Sequence, residues 1–246
     1  MQIGMREVGN RMLRVGVRPG DGSRLPLLMF NGIGANIELV APFLAALEGP
    51  EAIIFDVPGV GGSPVPALPY RPWMLARLST RLLDQLGHER VDVLGVSWGG
   101  ALAQQFAFQH PTRCRRLVLA ATSPGHLMVP GKLAVLLKMA SPRRYKDPEY
   151  MSRIAGDIYG GALRRSPQLA REHLRHVRWS SLPWLRLLRQ PTLVIYGADD
   201  PLVPAANAKI LAALIPDSRL VSIDDGHLFL VTSAGESARL IGDFLD

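Results

Sequence analysis

The sequence is poor in cysteine, with Cys114 as the only one among 246 residues. A single cysteine cannot close an intramolecular disulfide and cannot supply a cysteine-based metal cluster. We interpret Cys114, in the stretch HPTRCRR, as part of a turn that follows a helix. Any chemistry of this chain must therefore come from other residue types.

Long apolar runs are also missing. No uninterrupted apolar stretch approaches the roughly 20 residues that a membrane-spanning helix needs. The first 20 residues contain Arg6, Glu7, Arg11 and Arg14, and they match neither a secretory signal nor a lipidation motif. We therefore expect a cytoplasmic protein without a transmembrane segment.

Motifs for metals, nucleotides and nucleic acids are absent as well. The histidines show no metal-ligand spacing, and the stretches GVGG and GIGAN are not followed by the Lys-Ser/Thr of a phosphate-binding loop. The net charge is +7, but no nucleic-acid recognition motif accompanies it. The sequence predicts no metal, no cofactor and no nucleic-acid partner.

The positive charge is concentrated in one segment. Residues 123–190 contain 13 Lys and Arg against 4 Asp and Glu, whereas the rest of the chain contains 15 against 17. Helical patterns in this segment are interrupted by prolines and glycines. We predict a helical cap over 123–190, inserted into a core that is formed by 1–122 and 191–246.

Outside that segment, patterns of buried strands alternate with helical patterns. Strand-like runs lie at 25–30, 52–57, 90–97, 116–122, 191–197 and 219–224. Helix-like runs lie at 37–47, 72–86, 98–110 and 235–245. This alternation predicts an α/β fold with a mostly parallel central sheet flanked by helices.

The stretch GVSWGG places Ser97 between a buried strand and a helix. A serine hydroxyl is a weak nucleophile unless a base removes its proton and a tight turn exposes it. The pattern Gly-x-Ser-x-Gly supplies such a turn, because Gly95 and Gly99 leave room where a Cβ would collide. We predict that Ser97 is a catalytic nucleophile rather than a hydroxyl in a structural turn.

An acid and a base follow Ser97 along the chain, in the order Ser, Asp, His that is typical of folds with this turn. Asp199 and Asp200 follow the strand that ends at Gly197, and His227 follows the last strand. Both positions are at carboxyl ends of parallel strands, where open α/β sheets place their sites. We predict that Asp200 orients His227, with Asp199 as the competing choice. Asp224 and Asp225 are interpreted as residues that brace the histidine loop.

Attack on a carbonyl also requires donors for the developing oxyanion. The amide of Trp98, directly after the nucleophile, is one predicted donor. The other is the amide of Ile33, in the glycine-rich stretch NGIG, with the amide of Gly34 next.

These motifs resemble the α/β-hydrolase superfamily along nearly the whole chain. The stretches FNGIGAN, FDVPGVGGS, GVSWGGALAQQFA, LVLAAT, MVPGK, MASPRRY, IYGG and IDDGHLFL are more narrowly similar to intracellular medium-chain-length poly(3-hydroxyalkanoate) depolymerases. The resemblance implies a helical cap, the same Ser97, Asp200 and His227, and a polyester substrate. One stretch departs from the family, because RWSSLPWLRLLRQ before PTLV is shorter than in its members.

Several residues are candidates for the substrate pocket. They are Gly32, Gly34, Leu127, Met128, Trp179 and Trp184. The alternative for the apolar members is that they only pack the cap on the core. The basic surface of the cap is a candidate contact for the coat of a polyester storage granule, and a solvated helical face is the alternative.

The sequence thus predicts a serine hydrolase that cleaves ester bonds through an acyl-enzyme. Its expected substrate is a medium-chain-length poly(3-hydroxyalkanoate) or its oligomers. The alternatives are a small-ester carboxylesterase or lipase, a C–C bond hydrolase with the same triad, and a non-catalytic binding protein on a hydrolase scaffold.

Overall fold

In the computed structural model, the described residues are 1–68, 70–125, 129–134 and 179–246. Within these ranges, eight strands form one sheet. The strands are β1 (Gln2–Val8), β2 (Arg11–Arg18), β3 (Leu27–Phe30), β4 (Ala52–Phe55), β5 (Val91–Val96), β6 (Cys114–Ala120), β7 (Thr192–Gly197) and β8 (Ser218–Ile223). Their order across the sheet is β1-β2-β4-β3-β5-β6-β7-β8.

In the order across the sheet, the six strands β4, β3, β5, β6, β7 and β8 are parallel to one another, whereas β2 is antiparallel both to β1 and to β4. The predicted α/β fold with a mostly parallel sheet is therefore confirmed. The strand patterns did not predict the hairpin of β1 and β2. Its two-residue turn uses Gly9 at φ 63°, a conformation that favours glycine.

Helices cover both faces of the sheet in the described ranges. They are α1 (Ala41–Ala46), α2 (Pro72–Gln85), α3 (Trp98–Gln109), α4 (Ala205–Leu214), α5 (Phe229–Thr232) and α6 (Ala234–Leu245). Helix α4 was not predicted. The helical run at 37–47 is a 3-10 helix, Ile37–Val40, followed by α1. The change occurs beside Pro42, which has no N–H for a continuous α-helical ladder.

Alternation along the strands divides the apolar core between the two faces. In β3, Leu28 and Phe30 pack with α2, α3 and α4, while Leu27 and Met29 pack with α1, α5 and α6. All four strand residues are buried, as expected for a sheet covered on both sides. The core therefore fixes the strand ends, and the loops at the carboxyl edge carry the predicted site residues.

Candidate active site

Ser97 lies at a sharp turn between β5 and α3. Its backbone has φ 54° and ψ −120°, a strained conformation for a residue with a side chain. The Ser97 amide donates a hydrogen bond to the Ala120 carbonyl oxygen at 2.8 Å, which ties the turn to β6. This is the strand–turn–helix context that the sequence predicted for a nucleophile.

The two glycines of the motif are required by space. A Cβ on Gly95 would lie 2.4 Å from the Gly99 carbonyl oxygen and 2.5 Å from the Ala103 Cβ. A Cβ on Gly99 would lie 2.1 Å from the Phe30 carbonyl oxygen. The first turn of α3 therefore packs directly on β5 and on the end of β3, which only glycine permits at these two positions.

Three side chains from three strand ends form one chain of hydrogen bonds. His227 Nδ1 lies 2.7 Å from Asp200 Oδ2, and His227 Nε2 lies 3.0 Å from Ser97 Oγ. A carboxylate only accepts, so Nδ1 carries the proton and Nε2 is left to accept from the Ser97 hydroxyl. The Asp200 side chain is fully buried and that of His227 is 9% exposed.

The second oxygen of Asp200 is held by its own loop. Asp200 Oδ1 accepts hydrogen bonds from the amides of Leu202 at 2.8 Å and Val203 at 2.9 Å. Asp199 is exposed, and its amide donates to the Asp225 carbonyl oxygen at 3.1 Å. Of the two adjacent aspartates, the structure brings Asp200 to the imidazole.

The loop that carries His227 is braced by Asp225. Its carboxylate accepts hydrogen bonds from the Gly226 amide at 2.6 Å, Thr232 Oγ1 at 2.5 Å and Ser233 Oγ at 2.6 Å. Burial raises the pKa of Asp225, but these three donors outweigh it and hold the pKa below its ordinary value. This geometry supports the bracing role that was expected for Asp225.

The glycine-rich loop after β3 lies against the first turn of α3. Gly34 adopts φ 70°, and the Ala35 amide closes a turn onto the Gly32 carbonyl oxygen at 3.1 Å. Within the described ranges, the Ile33 amide donates no hydrogen bond to the protein. The amides of Ile33 and Trp98 stay the predicted donors for the oxyanion.

The predicted pocket residues divide into three groups. Gly32 and Gly34 lie in the loop just described, and Leu127 and Met128 lie outside the described residues. Trp184 stacks on Phe108 at 4.4 Å, and Trp179 Nε1 donates to Gln105 Oε1 at 2.9 Å. Phe108 is about 15 Å along α3 from its start at Trp98. Trp184 thus packs near the far end of α3, and the pocket roles of Trp179 and Trp184 stay predictions.

In the part of the chain that the structure describes, no group of three or more His, Cys, Asp or Glu side chains is placed to hold a metal ion. None of the helices in this part of the chain is both long enough and apolar enough to cross a membrane.

A mostly parallel α/β sheet that carries a Ser–His–Asp hydrogen-bond chain at the carboxyl ends of its strands is typical of the α/β hydrolases. The family model described as the alpha/beta hydrolase fold matches residues 26–178 and 175–234. The chain belongs to the α/β-hydrolase family, and the resemblance predicted from its motifs is confirmed.

Particular relatives narrow the comparison. The chain is 53% identical to a poly(3-hydroxyalkanoate) depolymerase of Ectopseudomonas oleovorans, over 97% of this chain and 90% of the relative. It is 30% identical to a 2-hydroxymuconate semialdehyde hydrolase of Pseudomonas sp. strain CF600, over 97% and 94%. A hydrolase from Pseudomonas aeruginosa PA01 superimposes with a TM-score of 0.79 at 25% identity, over 99% of this chain and 98% of that structure.

Proposed function

We propose that this protein is a serine hydrolase that cleaves the ester bonds of a medium-chain-length poly(3-hydroxyalkanoate) or its oligomers. The observation that carries the proposal is the unbroken chain of hydrogen bonds from Asp200 through His227 to Ser97. The substrate class is supported by the 53% identity to the depolymerase. We also propose a cytoplasmic location and contact with the surface of polyester granules.

The proposed reaction has two steps, the acylation of Ser97 and the hydrolysis of the acyl-enzyme. Ser97 Oγ attacks the ester carbonyl carbon while His227 Nε2 takes its proton. His227 then protonates the leaving 3-hydroxyl group, which leaves an acyl group on Ser97. A water molecule then attacks the acyl carbon while His227 Nε2 takes one of its protons. When the bond from the acyl carbon to Ser97 Oγ breaks, His227 returns this proton to Ser97 Oγ, which releases the carboxylic acid and restores the Ser97 hydroxyl.

Electrostatic stabilisation accompanies both steps. Asp200 holds the imidazole in the tautomer that accepts at Nε2 and stabilises the imidazolium that forms. The amides of Trp98 and Ile33 receive the oxyanion, and each such donor lowers a barrier by about 3 kcal/mol. No step requires a cofactor.

We further propose that residues 123–190 form a cap over this site. Two contacts at its base support this: a β-bridge joins Gly125 to Ser180, and the Ser181 amide donates to the Pro124 carbonyl oxygen at 2.9 Å. The buried Gln104 of α3 accepts from Ser181 Oγ at 2.6 Å. Both ends of the segment thus meet beside the helix that follows Ser97.

The test is a parallel assay on a medium-chain poly(3-hydroxyalkanoate) suspension and on p-nitrophenyl octanoate. We expect activity on both, and a loss of about 10⁴-fold or more in Ser97→Ala. Ser23→Ala, at an exposed serine, is the matched control and should behave as wild type. Activity on the soluble ester alone would retain the triad and reject the polymer as substrate.

A C–C bond hydrolase is the second candidate, because the chain is 30% identical to the 2-hydroxymuconate semialdehyde hydrolase. It is tested with a vinylogous 1,5-diketone as substrate. Cleavage of the diketone together with inactivity on both esters would replace the proposed function with this one.

A further inference from the structure

A second strained residue lies beside Ser97, and the mechanism above does not use it. Ala121 has φ 48°, and it is the one non-glycine residue besides Ser97 with positive φ in the described ranges. It directly follows β6, is buried, and its amide donates to the Ile195 carbonyl oxygen at 2.9 Å. Such a conformation persists only when surrounding contacts hold it.

The turn at Ala121 brings the side chain of Thr122 to the backbone of Ser97. Thr122 Oγ1 donates a hydrogen bond to the Ser97 carbonyl oxygen at 2.6 Å. The contact is tight and buried: Thr122 is 4% exposed, and a Cβ on Gly100 would lie 2.3 Å from Thr122 Oγ1. The Gly100 amide donates to the same Ser97 oxygen at 2.9 Å.

The end of β6 therefore holds Ser97 from both sides of its Cα. Ala120 accepts from the Ser97 amide, and Thr122 donates to the Ser97 carbonyl oxygen. These bonds restrain both φ and ψ of a residue whose conformation is unfavourable by itself. The position of Ser97 Oγ opposite His227 Nε2 depends on those two angles.

The bond from Thr122 also affects the neighbouring residue. The Ser97 carbonyl and the Trp98 amide belong to one planar trans peptide group, so they point in opposite directions. Fixing the direction of the carbonyl fixes the direction of the amide. A donor on the carbonyl oxygen also polarises the peptide group and strengthens its N–H as a donor.

We propose that Thr122 is a positioning residue that orients and polarises the Trp98 amide for the oxyanion, with the strained Ala121 placing its hydroxyl. The inference rests on the proposed role of Ser97. It makes the carboxyl end of β6 part of the reaction machinery, although no atom of Thr122 touches the substrate.

The test compares two buried threonines whose hydroxyls both donate to a backbone carbonyl. Thr192 lies at the amino end of β7, whereas Thr122 follows the carboxyl end of β6. Thr192 is 1% exposed, and its hydroxyl donates to the Gln190 carbonyl oxygen at 2.8 Å. We expect both Thr122→Val and Thr192→Val to lower the unfolding temperature by about 2–4 °C. Thr122→Val alone should lower kcat on p-nitrophenyl octanoate, by about 10- to 100-fold, with KM unchanged.

Binding of an alkylboronic acid, which mimics the tetrahedral adduct, separates positioning from folding. In Thr122→Val the Ki of the boronic acid should rise by the same factor by which kcat falls, because both depend on the oxyanion donor. Thr122→Ser retains the hydroxyl and should recover kcat to within about threefold. Thr122→Ala provides a smaller second replacement, with the same expected loss of kcat.

Three results would overturn the proposal: wild-type kcat in Thr122→Val, an equal loss in Thr192→Val, or no recovery in Thr122→Ser. Failure of the proposed function is recognised separately. In that case wild-type protein would neither hydrolyse the ester nor become labelled on Ser97 by a p-nitrophenyl alkylphosphonate, from which p-nitrophenolate leaves.

Discussion

Two buried aspartates lie at opposite ends of the parallel strands, and they differ in the charge of the groups that surround them. Asp92, near the start of β5, is held by the Arg115 guanidinium at 2.9 and 2.6 Å and by the Arg116 amide at 3.1 Å. Asp200, beyond the end of β7, is held by two backbone amides and His227. In the described ranges, Asp200 pairs with no arginine or lysine.

The difference shows how one residue type can serve stability or chemistry. Asp92 has a permanent cation beside it, so its charge is already compensated in the resting protein. Asp200 is surrounded by neutral donors, so its negative charge can stabilise the imidazolium that forms when His227 takes a proton. We therefore expect changes at Asp92 to affect folding and changes at Asp200 to affect rate.

The largest expected effect is that of Asp200→Asn on rate. An amide nitrogen in place of Oδ2 would favour the imidazole tautomer with the proton on Nε2, which cannot accept from Ser97. We expect kcat/KM on p-nitrophenyl octanoate to fall by about 10⁴-fold, with little change in the unfolding temperature. An activity within tenfold of wild type would contradict the role given to Asp200.

The second effect is that of Asp92→Asn on folding. Removing the charge leaves Arg115 without its partner, and breaking a buried pair costs about 3–5 kcal/mol. The Arg115 side chain is 27% exposed and Asn retains one acceptor, so we expect about 2–3 kcal/mol here.

Urea unfolding measures that loss, while kcat per folded molecule should stay at the wild-type value. The charge-neutral Asp200→Asn is the matched control at the other end of the strands. If the two variants lost equal stability and equal activity, the separate roles given to Asp92 in folding and to Asp200 in rate would be wrong.

The contrast between the two ends of the strands was only partly predictable from sequence. The order Ser97, Asp200, His227 at strand ends could be predicted, because the carboxyl ends of parallel strands meet at one edge. The bond from Thr122 to Ser97 could not. It depends on positive φ at Ala121, and an alanine gives no signal of such a conformation, whereas a glycine would have.

Elements of the fold show the same limit. The buried strands of the parallel sheet have apolar runs that identify them, but β1 is exposed at six of its seven residues. Its stability depends on pairing with β2, which no local apolar pattern reveals. The apolar character of Trp184 in the predicted cap does not distinguish a place in the substrate pocket from packing on the core, and in the structure this side chain stacks on Phe108.

The smallest expected effect concerns a carboxylate that is paired but exposed. Arg14 forms ion pairs with Glu38 and with the buried Asp56, close to the glycine-rich loop. The hydrogen bond from Arg14 is the main cause that holds the pKa of Glu38 below its ordinary value of 4.5. A lowered pKa stabilises the folded state above pH 4.5, and this contribution is lost as the pH falls through the lowered pKa.

Because the Glu38 side chain is 44% exposed, solvent screening limits the pair to less than about 1 kcal/mol. Thermal unfolding of wild type and Glu38→Gln at pH 6 and pH 3 measures it. The two proteins should differ at pH 6 and converge at pH 3. A difference that grew on acidification would reverse the sign expected here.

The bridge between Gly125 and Ser180 means that most of the segment proposed as a cap lies between two paired residues. The positions of β6 and β7 therefore do not depend on the number of residues between Gly125 and Ser180. The free energy of closing a flexible loop rises only with the logarithm of its length. If this segment forms the proposed cap, substrate preference and core stability can evolve independently. We then expect that a cap from another family member, grafted between Gly125 and Ser180, would change the substrate preference and leave the free energy of unfolding of the core unchanged.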